Sequence, residues 1–320
     1  MDAFLRPSAV TAAKSLTVVL GPSAGVCSPD RPSGLTTIVA NPTAGHHEKK
    51  AIASIAQRLR DAGREVEIVE TDRTGSLREF ARTCDARTLL VAGGDGSVNE
   101  AVTGLLERAE PRPVLGIIPQ GTANILGAEL GLPGDVEGLV DVFLNFRLGR
   151  LHLGLANGRP FVLMASVGFD AEVVRTVSLP LKRKIGKWAY VLAALKLCLQ
   201  RRLENVEVRV GEEVFDAKLV VVTNSKFYGG QFVIDKEASV LRPGLSVVAL
   251  PHVDIASLLW LGFLVAFGDA SRTKLVRRMP AQRVEVRSRI AVATQVDGDA
   301  LGITPILISK CPDTIEVLTA

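Results

Sequence analysis

The chain has 320 residues, of which 47% are hydrophobic and 22% are charged, and its formal net charge is +4. This composition is typical of a globular protein with one large or two medium domains, and it excludes a disordered chain. The small positive charge does not fit a protein that coats nucleic acid, so nucleic acid is not an expected partner.

In chain order, residues 1–35 are rich in Ser, Pro and Gly and lack a signal-peptide core, so we expect a flexible N-terminal extension. From residue 36 to 149, apolar runs alternate with helical patterns, which predicts a parallel sheet covered by helices. The predicted strands are Thr37–Ala40, Val66–Thr71, Thr88–Ala92 and Val114–Ile118. The predicted helices are Lys49–Ala62, Ser76–Cys84, Ser97–Arg108, Thr122–Leu130 and Asp135–Phe146.

The periodicity changes near residue 150. Asn157-Gly158 is a strong hairpin signal between the predicted strands Leu151–Ala156 and Phe161–Val167. Further strands are predicted at Val206–Val210, Val214–Val222, Leu245–Leu250, Arg283–Val286 and Ala291–Gln295. Residues 150–302 are therefore expected to form an antiparallel β-sandwich domain, and residues 303–320 are candidates for C-terminal strands that return to the first domain.

The most informative stretch is the glycine-rich turn that connects the strand Thr88–Ala92 to the next helix. Its glycines allow a tight reversal and leave room for a bulky anion, and a helix N-terminus favours a phosphate there. Asp95 in this turn is a candidate metal ligand, because a divalent cation can bridge a carboxylate and a phosphate. Ser97 is expected to cap the helix. The alternative is an ordinary turn that needs glycine for its geometry. The candidate residues are Gly93, Gly94, Asp95, Gly96 and Ser97.

Two more predicted strands end in small or amide residues. Since the carboxyl ends of parallel strands share one sheet edge, where ligands bind, these residues are expected to meet the glycine-rich turn. They are Asn41, Pro42 and Gly45 after the first strand, and Gly121, Thr122 and Asn124 after the fourth.

Together, the segments Asn-Pro-x-x-Gly, Gly-Gly-Asp-Gly-Ser-x-Asn-Glu and Pro-x-Gly-Thr-Ala-Asn resemble the diacylglycerol kinase catalytic domain family of bacterial lipid kinases, sphingosine kinases and ceramide kinases. The resemblance runs from about Thr36 to the C-terminus. It implies an α/β fold: a parallel-sheet nucleotide-binding domain over residues 36–149, similar to NAD kinases, followed by the β-sandwich as the lipid-substrate domain. It also implies ATP-dependent phosphorylation of a hydroxyl of a diacylglycerol-like or sphingolipid acceptor, with ATP and Mg²⁺ as cofactors.

The segment Asp297-Gly298-Asp299 lies where the family has Asp-Gly-Glu. The resemblance implies that Asp297 accepts the proton of the lipid hydroxyl, so Asp297, Asp299 and Asp95 are the catalytic candidates. Asp299 is one methylene shorter than the family's Glu, and we expect any contact with the metal to run through water. The alternative is that Asp297-Gly298 is only a hairpin turn.

The acceptor site is expected between the domains. Asp170 and Glu172 lie in a segment that resembles the family's acceptor-site lining, although both could instead be acids at a helix N-terminus. Arg183 and Lys187 lie in a basic, aromatic segment suited to nucleotide phosphates or to an anionic membrane. The apolar run Ile255–Phe267 has 13 residues, fewer than the ~20 that span a bilayer, and is either buried or pressed against lipid.

Two departures from the family stand out. Ile125 follows Asn124 where many bacterial members have Asp, and sphingosine kinases share this lack, which points toward a sphingoid or ceramide acceptor. The segment Leu241–Ser246 has no acid where some members bind a structural magnesium, so that metal is expected to be missing.

The expected protein is a cytoplasmic enzyme peripherally associated with the inner face of the membrane. The scattered cysteines favour reduced thiols in the cytoplasm. The expected partners are a membrane lipid substrate and an anionic membrane surface, with a homodimer left open. A kinase of a soluble substrate, such as an NAD kinase, is one alternative. A non-catalytic lipid-binding or regulatory protein on a decayed kinase fold is the other.

Overall fold

The computed structural model describes residues 34–40, 49–73, 75–176, 193–194, 196–197, 204–230, 232–253, 273 and 275–320. Within these ranges the chain forms two large sheets and one short hairpin. The first sheet begins as a parallel sheet in the N-terminal half and continues with antiparallel strands from the C-terminal half, and the second sheet is antiparallel. The predicted α/β class with a C-terminal antiparallel sandwich is therefore confirmed.

The N-terminal half alternates strands and helices. Its strands are β1 (Thr36–Ala40), β2 (Val66–Glu70), β3 (Thr88–Gly93) and β4 (Val114–Pro119), and its helices are α1 (Lys49–Asp61), α2 (Ser76–Thr83), α3 (Asp95–Leu106), α4 (Ile125–Glu129) and α5 (Val136–Leu144). The strands pair in parallel in the order β2-β1-β3-β4. Because β1, β3 and β4 are almost entirely buried, their sequences are continuous apolar runs.

The C-terminal half consists mainly of strands. Its elements are β5 (Arg147–Ala156), β6 (Arg159–Phe161), β7 (Met164–Gly168), α6 (Phe169–Thr176), β8 (Val206–Val210), β9 (Glu213–Ala217), β10 (Leu219–Thr223), β11 (Phe227–Tyr228), β12 (Phe232–Val233), β13 (Leu245–Leu250), β14 (Arg277–Ala281), β15 (Arg283–Arg287), β16 (Ala293–Val296), β17 (Asp299–Ile303) and β18 (Ile306–Thr319). The second sheet has the order β14-β13-β10-β7-β16-β17.

The hairpin predicted at Asn157-Gly158 is confirmed, since both residues have positive φ (48° and 83°) and connect β5 to β6. The single strand predicted over Val214–Val222 is wrong. Its residues divide at Lys218 into β9 of the first sheet and β10 of the second. The predicted strand Phe161–Val167 divides in the same way between β6 and β7. A continuous apolar pattern does not reveal where a chain changes sheets.

The strand β18 connects the two halves of the molecule. It pairs in parallel with β4, where Val317 lies opposite Leu115, and antiparallel with β5 and β15. One buried cluster accordingly includes apolar side chains from both halves, among them Leu115 and Leu126 from the first and Leu163 from the second. Across the part of the chain that the structure describes, no helix is long and apolar enough to cross a membrane.

Candidate active site

The turns after β3 and β4 form one edge of the parallel sheet. The two strands are neighbours, with Gly93 opposite Pro119, and Gln120 N donates to Gly93 O at 3.0 Å. The structure therefore brings together the predicted residues of these turns, which are Gly93, Gly94, Asp95, Gly96, Ser97, Gly121, Thr122 and Asn124. The residues predicted after β1, which are Asn41, Pro42 and Gly45, lie outside the described residues.

Two glycines make the close approach of these turns feasible. A Cβ atom on Gly121 would lie 2.5 Å from the Cα of Gly94, which no real side chain tolerates. Among the described residues, none outside its own helix turn has an atom within 4 Å of a Cβ on Gly96, and Gly96 itself is exposed. Gly94 and Gly121 thus serve the contact between the turns, whereas Gly96 leaves the helix N-terminus accessible to an anion.

The turn before α4 is closed by the side chain of Asn124. Gly121 N donates to Asn124 Oδ1 at 2.7 Å, and Asn124 Nδ2 donates to Gly121 O at 2.9 Å. Asn124 adopts a left-handed conformation (φ 48°), which asparagine tolerates better than most residues. The helix consequently begins at Ile125 and not at Thr122 as predicted. Thr122 is exposed at the same edge.

Asp95 opens α3 and caps a second helix. Ile125 N and Leu126 N donate to its two carboxylate oxygens, each at 3.1 Å, so Asp95 satisfies the N-terminus of α4. Burial raises the pKa of this carboxyl, and the donated backbone hydrogen bonds offset part of the shift. The predicted N-cap role of Ser97 is wrong: α3 begins two residues earlier, with Gly94 in the N-cap position.

Asp297 is a half-buried carboxylate that accepts hydrogen bonds from both halves of the chain. Asn99 Nδ2 of α3 (2.7 Å) and Val162 N (2.8 Å) donate to Oδ2, while Leu163 N and Met164 N donate to Oδ1, each at 2.9 Å. Burial raises the pKa of this carboxyl, and these donors act in the opposite direction. With two donors on each oxygen, Asp297 fastens the β16–β17 turn to α3.

Asp299 lies on the same turn but in a different environment. Its side chain is 72% exposed and forms an ion pair with Arg159 (Nη2–Oδ2, 3.3 Å). Glu100 of α3 lies close enough for electrostatic coupling: burial raises the pKa of Glu100, and the negative charge of Asp299 raises it further. The mostly exposed carboxylate of this turn therefore lies near enough to α3 for its charge to act on Glu100.

The predicted acceptor-site acids are already engaged. Asp170 accepts hydrogen bonds from Ser166, Gln295 and Tyr228. Glu172 forms an ion pair with Arg175 at 2.6 Å on α6. The other two predicted acceptor-site residues, Arg183 and Lys187, lie outside the described residues, as does the apolar run 255–267.

The segment 241–246 has no carboxylate of its own, but the buried Asp235 contacts it. Ser246 Oγ donates to Asp235 Oδ2, and Arg242 Nη2 donates to the Glu237 carbonyl at 3.0 Å. Among the described residues, no group of three or more His, Cys, Asp or Glu side chains is arranged to hold a metal ion. The side chains of this segment that make these contacts are the Ser246 hydroxyl and the Arg242 guanidinium, both of which act as hydrogen-bond donors.

Several residues of the site were not assigned by sequence reasoning. Asn99 and Glu100 lie inside the glycine-rich motif, so the motif itself was the available signal. Arg159 and Gln295 had no such signal, because each meets its partner only after the strands have paired. Glu129 was also missed. It accepts hydrogen bonds from Ser225 Oγ and Lys226 N, both at 2.6 Å, and is a second contact between the halves.

Comparisons with known proteins agree with this architecture. The diacylglycerol kinase catalytic domain model matches residues 36–156, and the YegS C-terminal NAD kinase beta sandwich-like domain model matches residues 164–319. A diacylglycerol kinase of Staphylococcus saprophyticus is 29% identical over 291 residues, which cover 88% of this chain and 94% of the relative. A diacylglycerol kinase of Bacillus subtilis is 28% identical over 277 residues, covering 84% and 90%.

The fold is also shared with solved structures. A crystal structure from Bacillus anthracis superposes with a TM-score of 0.74 at 21% sequence identity, covering 89% of this chain and 96% of the other. At this identity the likeness establishes the fold alone. The two domain models, taken in order, match nearly all of residues 36–319. The chain is thus a kinase with a diacylglycerol kinase catalytic domain at residues 36–156 and a YegS-type C-terminal domain at residues 164–319.

Proposed function

We propose that this kinase transfers the γ-phosphate of ATP to the free hydroxyl of a diacylglycerol-like lipid at a membrane surface. The diacylglycerol kinase catalytic domain implies the use of ATP. The choice of acceptor is supported by the relatives, which carry the name diacylglycerol kinase. Asp170 and Glu172 are engaged by neighbouring side chains, so neither favours the cationic amine of a sphingoid base. We therefore prefer a neutral acceptor to a sphingoid base, and the names of the relatives favour diacylglycerol over ceramide, the other acceptor that Ile125 suggested.

The nucleotide phosphates would lie at the first turn of α3. Gly96 is exposed there, and the helix N-terminus favours negative charge. The Asp95 carboxylate accepts from Ile125 N and Leu126 N, the backbone N–H groups of Asp95 and Asn124 also act on it, and a hard oxygen ligand suits Mg²⁺. Mg²⁺ usually needs only one or two carboxylates besides the phosphates of its substrate, so Asp95 fits the ion. Bound there, Mg²⁺ would neutralise charge on the phosphates.

We assign proton acceptance to Asp299 in preference to Asp297. A general base must offer a free lone pair to the hydroxyl that attacks the phosphate. Each oxygen of Asp297 already accepts two hydrogen bonds, whereas the Asp299 carboxylate is mostly exposed and is paired with Arg159 through Oδ2. This difference within one turn is the observation that carries the proposal. Asp297 would then position the turn across the interface with Asn99.

The test is transfer of label from γ-labelled ATP to diacylglycerol in mixed micelles, with NAD as a soluble acceptor. We expect label in diacylglycerol and a fall in kcat of about a hundredfold or more for Asp299→Asn, the usual loss when a general base is removed. The matched control is Asp216→Asn, the same substitution at an exposed position of the edge strand β9, which should leave kcat unchanged. The thermal stability of both variants should match that of the original protein.

The outcomes separate the alternatives. Label in NAD alone would contradict a lipid acceptor. ATP binding without transfer to any acceptor would support the decayed-kinase alternative. If Asp299→Asn retains full kcat while transfer to diacylglycerol is robust, the base assignment fails although the lipid kinase activity stands.

We further propose that the protein binds anionic membranes peripherally, in the cytoplasm. The support is the sequence of 182–190, in which basic residues flank Trp188 and Tyr190. Co-sedimentation with vesicles checks this: binding should be stronger to phosphatidylglycerol than to phosphatidylcholine and should weaken as salt is added. Equal binding to both lipids, independent of salt, would contradict it.

A further inference from the structure

A buried chain of polar groups runs from the β16–β17 turn to the β11–β12 hairpin. Gly298 N donates to Gln295 Oε1 at 2.8 Å. Gln295 Nε2 donates to Ser166 Oγ at 2.8 Å and to Asp170 Oδ2 at 2.9 Å, and Ser166 Oγ donates to Asp170 Oδ2 at 2.5 Å. Tyr228 OH donates to Asp170 Oδ1. The turn that carries Asp299 is thereby tied to Asp170.

The polar side chains in this chain of hydrogen bonds use most of their donors and acceptors on one another. Gln295 is 2% exposed and Ser166 is fully buried, so each would be costly to leave without partners. Burial and the neighbouring Asp170 raise the pKa of Tyr228 well above its ordinary value, so the phenol remains a hydrogen-bond donor. A carboxylate that accepts three internal donors is poorly placed to accept another from a ligand. The contacts of Asp170 point inward to the fold.

This chain of hydrogen bonds matters because it ends at the turn that carries Asp299. Asp299 follows Gly298 directly, and its own side chain is mostly exposed, so buried contacts of the rest of the turn must fix its place. Val296 is buried and Asp297 is held by its own donors, while the bond from Gly298 N to Gln295 fixes the backbone at the glycine, where φ is +88°. Small displacements of a catalytic group cost much of the rate, since catalysis depends on its position.

We propose that Asp170 is a positioning residue, which holds the Asp299 turn in place through Gln295 and does not bind the lipid headgroup. The inference rests on the proposed function of Asp299. Tyr228 extends the same anchor to the β11–β12 hairpin, which follows Ser225 and Lys226, the residues that bind Glu129 of α4. Hydrogen bonds therefore connect the β16–β17 turn to the β11–β12 hairpin, and connect the residues just before that hairpin to α4.

The test is a reversal of the central hydrogen bond. Gln295→Glu places two carboxylates against each other, and Asp170→Asn leaves its NH2 group against either Gln295 Nε2 or the Tyr228 hydroxyl, whereas the double variant lets the Asn amide donate to the new carboxylate, which still accepts from Gly298 N. We expect each single variant to lower kcat about tenfold or more, with KM for diacylglycerol and for ATP within about twofold. The double variant should recover kcat to within about threefold, a coupling that a double-mutant cycle measures.

A second readout does not depend on activity. Amide hydrogen exchange of the segment 295–299 should be faster in Asp170→Asn and should return toward the original rate in the double variant. The matched control is Asp235→Asn, which changes another buried aspartate of the same half and should leave both kcat and this exchange rate unchanged. If the original protein phosphorylates no lipid, the proposed function fails, while the exchange rates still decide whether Asp170 holds the turn.

Two results would overturn the inference. One is a rise of KM for diacylglycerol with kcat unchanged in Asp170→Asn, which would place Asp170 in contact with the acceptor. The other is a double variant no better than the single variants in kcat and in exchange, which would show that the hydrogen bond to Gln295 does not connect Asp170 to the turn.

Discussion

The β3–α3 turn and the β16–β17 turn present similar sequences to the same space but use their aspartates differently. In the first, all the donors to Asp95 are backbone N–H groups of its own turn and of the start of α4. In the second, each oxygen of Asp297 accepts two hydrogen bonds, so neither has a free lone pair for a ligand. The side chain of the nearby Asp299 is exposed. An aspartate in a glycine-containing turn can thus serve folding, chemistry or both, and the elements that supply its donors, together with the exposure of its side chain, distinguish these roles.

Removing the charge of each aspartate is the most sensitive test of the difference between Asp95 and Asp297. Asp297→Asn should lower the free energy of unfolding by roughly 2–4 kcal/mol, because an amide cannot accept all the hydrogen bonds of this carboxylate. Asp95→Asn should cost only about 1 kcal/mol, since it loses part of one helix cap. Urea unfolding measures both, with the exposed Asp299→Asn as the control near zero. Equal losses for Asp95 and Asp297 would refute the distinction.

The glycines of the first turn give the next largest effect. Gly121→Ala should destabilise the protein by about 1–3 kcal/mol, because its Cβ would clash with the Gly94 backbone. Gly96→Ala is the matched control: it is exposed in α3, with no described residue beyond its own helix turn near the new Cβ, and should raise stability by about 0.5–1 kcal/mol. If Gly96 faces the nucleotide, the same control should still weaken ATP binding, which calorimetry measures. Unchanged ATP affinity in Gly96→Ala would contradict a phosphate at this turn.

The smallest effect tests whether the two turns face each other. Because the charge of Asp299 contributes to the raised pKa of Glu100, Asp299→Asn should lower that pKa toward its ordinary value. Burial, the larger cause, remains, so the shift should be partial. A carboxyl-carbon NMR titration, with Glu100→Gln to assign the signal, checks the change. If the pKa of Glu100 does not change in Asp299→Asn, the two turns lie farther apart than in this structure.

The strand ends of the N-terminal half could be predicted from the sequence because buried parallel strands leave continuous apolar runs, and glycines mark the turns that follow. The roles of the aspartates could not. The donors to Asp297 lie 133 to 135 residues away in sequence at Val162, Leu163 and Met164, and no local pattern records such a contact. The break at Lys218 was invisible for a related reason: β9 and β10 are both apolar enough to be strands, and only the pairing tells them apart.

The position of β18 has a consequence for how the protein is made. Residues 306–319 lie against β4 and β5, so the nucleotide-binding sheet gains one of its neighbouring strands only after nearly the whole chain has been translated. Domains usually fold as units from the N-terminus during synthesis. Here one edge of β4 stays unpaired until residues 306–319 have been synthesised, so the first sheet is completed late. We therefore expect a stop before Ile306 to remove the strand that lies beside β4, β5 and β15, and so to disturb both halves of the molecule.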